Sequence, residues 1–313
     1  MTGGFKNIIS LQSDTSNFSH IMFHFTPKNI LLAAVICFTT QMSFAQKSLK
    51  KPHPEKVEWT TNYQPFRIAG NLYYVGTYDL ACYLITTKKG NILINTGLAT
   101  SDTQIIRNIE ALGFRPRDTK ILLNTQAHHD HLGAMASIKK QTGAKFMINE
   151  PDAASALDGG SSDYALGGDS MNFEPIKPDR LLHDGDVIKL GKTRLTMFNH
   201  PGHTKGSCSF LVTVKDSSRS WKVLIANMPT IVTDSAFDRI PSYPQIASDY
   251  SYTINAMKKL DFDIWVASHA SQFELHKKHQ PNDPYNPAAF EDRKGYQEYL
   301  DELQQDLQGK LKK

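Results

Sequence analysis

Three histidines and one carboxylate fall within the six residues Gln126-Ala127-His128-His129-Asp130-His131. Packing these groups together is costly unless something binds them. The apolar run before them, within residues 119–125, reads as a short buried strand. If the chain stays extended past Asn124, side chains two apart point to one side, so Gln126 and His128 converge. Asp130 and His131 then fall in the turn before a helix expected at 133–141, whose start aims them back at the same point. Neutral imidazole and carboxylate are zinc ligands, whereas all-oxygen sets suit magnesium or calcium and thiolates suit softer metals. A His-rich surface loop is the alternative, and two later histidines, His203 and His269, argue against it.

The chain has 313 residues and 40% hydrophobic composition, enough to bury a sizeable core. A leader comes first. Lys28, the apolar run at 30–38 and Ser43-Phe44-Ala45 form a positive region, an apolar region too short to span a membrane and a small-x-small cleavage site. Cleavage after Ala45 is expected, with 1–45 as signal peptide and 46–313 as one domain. Met22 is the better start, since 1–21 are polar and read as an over-long extension. Of the net charge of +4, the leader carries +1 (Lys6 and Lys28 against Asp14), leaving +3. No basic run interleaved with aromatics appears, so no nucleic-acid partner is expected. Nor is membrane insertion expected after leader removal, and the chain is expected to be a monomer. Cys37 leaves with the leader; Cys82 and Cys208 sit in apolar runs and read as buried thiols, with their pairing left open.

Residues 46–65 are polar and Pro-interrupted, a mobile N-terminal arm. Strands are expected at 66–68, 72–75, 81–86 and 91–95. Ser101 to Gln104 has a capping-box pattern opening a helix closed by Gly113. After the His-rich stretch come a strand at 144–148 and a short helix at 151–157. Residues 158–175 are Gly-, Ser- and Asp-rich and read as an exposed loop. Strands follow at 186–190, 193–199, 208–214 and 223–226, then a helix at 247–259 and a last buried strand at 262–267. An amphipathic helix closes the chain from 287. Two groups of strands, each followed by helices, predict an α/β chain of two face-to-face sheets with helices outside, a four-layer αββα sandwich.

The second ligand segment, His200 to Ser207, follows strand 193–199, where Pro201 and Gly202 force a turn that exposes His203. His200 reads as a satisfied loop or core histidine. The third segment is Ser268-His269. Gln126, His128, His203, Asp130, His131 and His269 together are enough for two zinc ions.

These segments resemble the H-x-H-x-D-H, P-G-H-T and terminal-His motifs of the metallo-β-lactamase superfamily. With the runs at 66–79, 90–97 and 223–229, they are similar to the B3 subclass and, within it, to GOB-type enzymes, where Gln replaces the first motif histidine. The resemblance covers nearly the whole chain after the leader. It implies one site of Gln126, His128 and His203 and another of Asp130, His131 and His269. A neutral amide oxygen is a poorer zinc donor than imidazole, so the Asp130 site is expected to be tighter. Many superfamily hydrolases also carry a metal-bridging Asp after the strand matching 223–226. Here Ala226-Asn227-Met228-Pro229 offers none, which leaves Met228 as a pocket wall and Thr230 as a candidate contact for a substrate carboxylate.

The function implied is a zinc-dependent β-lactamase, using one or two zinc ions and a zinc-bound hydroxide to open penicillins, cephalosporins and carbapenems. Asp130 is then both ligand and catalytic residue, and the enzyme is periplasmic and gives antibiotic resistance. The alternatives are another hydrolase of the superfamily, such as a lactonase or a glyoxalase-type thioesterase, and a non-catalytic zinc-binding protein. The missing bridging Asp and the leader weigh against the first, and the intact Asp130, His131 and His269 against the second.

Overall fold

The computed structural model describes residues 56–312. The expected leader, residues 1–45, and residues 46–55 lie outside them. Among the described residues twelve strands form two sheets. The first runs in chain order through β1 (Phe66–Ala69), β2 (Leu72–Tyr74), β3 (Tyr83–Thr87), β4 (Gly90–Ile94), β5 (Thr119–Leu123), β6 (Lys145–Asn149) and β7 (Arg180–Leu182). Its first four strands pair antiparallel and β4 to β7 pair parallel. The second holds β8 (Val187–Leu190), β9 (Thr193–Asn199), β10 (Cys208–Lys215), β11 (Ser220–Ala226) and β12 (Ile264–Ala267) in the order β12-β11-β10-β9-β8, with only β11 and β12 parallel.

Strand composition follows from this layering. Ile121, Leu122 and Leu123 are all buried because β5 is a central parallel strand covered on both faces. Ile121 and Leu123 join the main core, shared with Met197, Phe210 and Ile225 of the second sheet. Leu122 joins the opposite core with Leu93 and Phe146, where Ile105 and Ile109 of helix Asp102–Ala111 and Ile138 of helix Met135–Thr142 pack. Helices Ile246–Met257 and Arg293–Leu311 pack on each other beyond the second sheet. The result is the αββα sandwich expected from the strand pattern.

The closing helix buries Tyr296, Leu300, Leu303 and Leu307, a single stripe at helical spacing. It begins at Arg293 rather than 287, because Asp292 caps it by accepting the Gly295 amide at 2.9 Å. Cys82 and Cys208 are buried free thiols. Among the described residues no helix is long and apolar enough to cross a membrane.

Four local expectations are corrected. Ser101 forms no capping box: its hydroxyl accepts the Leu98 amide, and Gln104 reaches back to the Gly76 carbonyl. The helix expected at 133–141 is two, His129–Leu132 and Met135–Thr142, so Asp130 and His131 are helical rather than in a preceding turn. Gly133 lies between them because a Cβ there would stand 2.4 Å from the Ala99 nitrogen. Residues 56–65 are no loose arm, since helix Val57–Thr60 sets Trp59 against His269, ring centroids 5.7 Å apart. The loop 158–175 is not merely exposed: Ser161 and Phe173 are buried, and Asp163 points inward.

Candidate metal centre

Strand ends deliver the ligand-type side chains to one rim. β5 ends at Leu123, just before Gln126 and His128; β9 ends at Asn199, before the turn to His203; β12 ends at Ala267, before His269. Gly202 makes the second turn possible. Its φ is +131° and a Cβ would strike the Tyr250 ring at 2.8 Å. At this rim lies a cleft of about 350 Å³ walled by Trp59, Thr230, Val232 and Tyr299. A larger hollow of about 1260 Å³ at the opposite strand ends, lined by Lys88, Arg115 and Lys120, gathers no group of metal ligands.

Asp130, His131 and His269 bring three donor atoms together. Asp130 Oδ2 is 3.2 Å from His131 Nε2 and 3.4 Å from His269 Nε2, and the two Nε2 atoms are 3.2 Å apart. Donors bound at about 2.0–2.1 Å to a tetrahedral zinc lie about 3.3 Å from one another, so this triangle fits that ion and leaves a fourth position open. Among the described residues it is the one group of three or more His, Cys, Asp or Glu gathered this closely. Burial would raise the Asp130 carboxyl, but the charges and hydrogen bonds of His131 and His269 hold it well below the usual range. Burial would likewise lower His269, yet Asp130 and Asp79 lift it to about 9. A potential that favours imidazolium also favours a metal cation.

The other three residues sit beside this group. His128 and His203 have ring centroids 4.9 Å apart. His203 Nδ1 is 2.7 Å from the Thr230 carbonyl, which can only accept, so Nδ1 carries the proton and Nε2 keeps its lone pair. Burial brings His203 down to about 3, keeping it neutral. Gln126 Oε1 and His128 Nε2 are buried without a hydrogen-bond partner. An orphaned acceptor such as Gln126 Oε1, beside an assembled ligand triangle, suits a bound cation.

Of the remaining candidates, His129 lines the cleft with its ring 6.2 Å from Trp59. Thr230 also lines it, with its hydroxyl 3.0 Å from His203 Nδ1. Met228 lies in the buried core. His200 is buried with Nδ1 2.7 Å from the Ser209 hydroxyl. Two further carboxylates serve the centre. Asp79 accepts from His269 Nδ1 at 3.1 Å, Trp59 Nε1 at 3.0 Å and the Ser271 amide at 2.9 Å. Burial would raise its pKa, but His269 and Ser271 hold it well below the usual range. Asp163 reaches His128 from the loop 158–175. Neither has a local signal, since each meets its histidine only through the fold.

The fold and these motifs place the chain in a known class: it belongs to the metallo-β-lactamase superfamily, whose family model matches residues 77–216. Among solved structures it is similar to the class B3 di-zinc metallo-β-lactamase LRA-12 from an Alaskan soil metagenome. That match has 65% identity over 84% of this chain and 100% of the other, with a TM-score of 0.83. It is also similar to the metallo-β-lactamase GOB-18 of Elizabethkingia meningoseptica, at 54% identity over 85% of this chain and 98% of that one, with a TM-score of 0.84. Curated relatives match over shorter stretches. A probable metallo-hydrolase of Burkholderia pseudomallei is 32% identical over 123 residues, 38% of each chain, and curated matches of this kind span about 25–67% of the relatives' length.

Proposed function

We propose that this protein is a zinc-dependent β-lactamase of the B3 kind, exported to the periplasm after loss of 1–45, with 46–313 folding as one domain and acting on penicillins, cephalosporins and carbapenems. The observation that carries the proposal is the Asp130–His131–His269 triangle, with edges of 3.2–3.4 Å on the floor of an open cleft. Its likeness to solved β-lactamases over their whole length adds weight.

In this reading one metal is held by Asp130, His131 and His269 and a second by Gln126, His128 and His203. Bound zinc supplies Lewis acidity and makes water a nucleophile near neutral pH. The chain's own groups do the rest. Asp79 fixes the ring of His269 through Nδ1, and the Thr230 carbonyl does the same for His203. Asp130 stays ionised, orients the nucleophile at the cleft floor and passes its proton towards the lactam nitrogen as the ring C–N bond opens. Trp59 and Tyr299 wall the substrate and exclude bulk water.

Nitrocefin hydrolysis by purified protein, with and without a chelator, tests this directly. Turnover that the chelator abolishes and zinc restores is the expected result. Hydrolysis of lactones or glutathione thioesters with no action on nitrocefin would reject the β-lactamase assignment, and no hydrolysis of any of them would leave a metal-binding protein.

A further inference from the structure

Among the described residues that line the cleft over the metal centre, Lys56 is the one lysine or arginine. The carboxylates of Asp79 and Asp130 also face this cleft. Penicillins, cephalosporins and carbapenems all carry a carboxylate beside the lactam ring, so each would enter as an anion. A cleft that takes anions past two carboxylates calls for a positive group at its entrance.

The backbone holds Lys56 in place. Its carbonyl accepts the Trp59 amide at 2.9 Å, opening helix Val57–Thr60. The residues that follow are tied to the chain beside the metal centre: the Glu58 carbonyl accepts the Asp79 amide at 3.1 Å, and the Thr61 carbonyl accepts the Tyr78 amide at 2.9 Å. Trp59 is fixed through its side chain as well. Its indole N–H donates to Asp79 Oδ2 at 3.0 Å, the same oxygen that stands 3.1 Å from His269 Nδ1.

Ammonium, indole and ligand imidazole therefore follow one another along the wall. Lys56 Nζ lies 5.5 Å from the centre of the Trp59 ring, which lies 5.7 Å from that of His269. The ammonium has no ion-pair partner among the described residues and rests over the indole. That attraction is weak at an exposed site, and a carboxylate competes with it readily. The long stem lets Nζ swing to an incoming anion while the backbone stays still.

We infer that Lys56 binds the carboxylate of the substrate at the mouth of the cleft, with Trp59 backing the fused rings so that the lactam carbonyl lies over the Asp130 group. The inference rests on the β-lactamase reading and adds to it the residue that selects anionic lactams. The carboxylate keeps its charge throughout ring opening, so the contact is made equally in ground and transition states. It should therefore act on KM and leave kcat alone.

The test compares nitrocefin with its carboxylate methyl ester on zinc-loaded wild-type protein, Lys56→Gln and Lys56→Arg. For the free acid, Lys56→Gln should raise KM about five- to tenfold and keep kcat within about twofold, and Lys56→Arg should recover most of the loss. For the ester the three proteins should have the same KM. Raising salt from about 0.05 to about 0.5 M should narrow the gap between wild type and Lys56→Gln on the acid. An unchanged KM for the acid in Lys56→Gln would overturn the inference and leave Thr230 as the candidate carboxylate contact. An equal rise in KM for acid and ester would overturn it too, since the loss would then be one of shape rather than charge. Nitrocefin left intact by the wild-type protein is a different failure: it would reject the β-lactamase reading, and the role of Lys56 with it.

Discussion

The Asp152 carboxylate accepts the Thr204 hydroxyl at 2.7 Å, and the same oxygen accepts the Ala127 amide at 2.9 Å. Its other oxygen accepts the Gly206 amide at 2.7 Å. One buried side chain therefore ties the backbone between Gln126 and His128 to the segment that carries His203. Burial pushes its carboxyl up to about 6 even with these donors in place. Asp152→Ala should leave the Ala127 and Gly206 amides unpaired at about 1–3 kcal/mol each, while the Thr204 hydroxyl can turn to Ser207 Oγ at 2.8 Å, a loss of a few kcal/mol that thermal unfolding reads directly. It should also weaken metal binding at the Gln126 site. A variant with unchanged melting temperature and unchanged zinc stoichiometry would show that the two segments hold their places without it.

Asp130 and His129 are neighbours with opposite expectations. Asp130→Ala removes the one carboxylate of the ligand triangle, so metal and activity should be lost together while circular dichroism stays native. The loss should exceed the roughly 10–100-fold typical of residues that only support a ligand. His129 lies outside the triangle, and His129→Ala should leave zinc binding and turnover much closer to those of the wild type than Asp130→Ala does. Asp130→Ala retaining full zinc and full turnover would undo the ligand assignment.

For Asp79 the expected effect is indirect. Asp79→Asn replaces the acceptor that holds His269 Nδ1, so the ring loses its fixed orientation while all three ligands remain. Metal affinity at the Asp130 site should fall about 10–100-fold, with activity recovering at high zinc. Activity that stays low at saturating zinc would instead give Asp79 a role in the reaction.

These carboxylates mark where sequence reasoning ran out. The ligand motifs were legible because each lies at the end of a short apolar run, and a strand's end is set by local pattern. β9 indeed runs over Thr193–Asn199 as expected. Asp79, Asp152 and Asp163 act on residues 190, 52 and 35 positions away along the chain, through contacts that only the packed sheets create. Asp163 was hidden further by its surroundings: Gly- and Ser-rich composition reads as solvent-exposed loop, but in this fold it lets the chain turn tightly enough to bury a carboxylate. β7, three residues long at the sheet edge, is too short to show a period.

His200 predicts the acid side of the stability profile. Burial holds its pKa at about 3 against an ordinary value of 6.5. Ser209 Oγ accepts the Asn227 amide at 3.0 Å and stands 2.7 Å from His200 Nδ1, to which its own hydroxyl proton can be donated. Between these two pKa values the unfolded chain binds a proton that the folded chain refuses. The contribution of His200 is thus complete above about pH 6.5 and drains away as pH falls towards 3. In chelator-treated protein this amounts to about 2 kcal/mol, or roughly 4–8 °C in Tm, between pH 6.5 and about 5. His200→Gln can still accept from Ser209 but does not titrate, so its Tm should fall less over the same range. Parallel pH profiles for the two proteins would exclude His200 as a source of acid lability.

The two metal sites should fill in order. Asp130, His131 and His269 already stand 3.2–3.4 Å apart, so binding there needs little reorganisation and meets one anionic and two imidazole donors. Gln126, His128 and His203 offer an amide and two imidazoles, and with Asp163 they form no group as tight as the Asp130 triangle. Preorganisation and donor strength therefore point the same way, and the first equivalent of zinc should go to the Asp130 site. Since that site keeps an open position, one equivalent should suffice for nitrocefin hydrolysis. Gln126→His should tighten the other site without being required for activity. The check is a zinc titration of metal-free protein that follows bound metal and turnover together. Activity rising to its plateau with the first equivalent supports filling of the Asp130 site first. Activity that appears only as the second equivalent binds would reject that order, and would make the neutral-donor site part of the catalytic machinery.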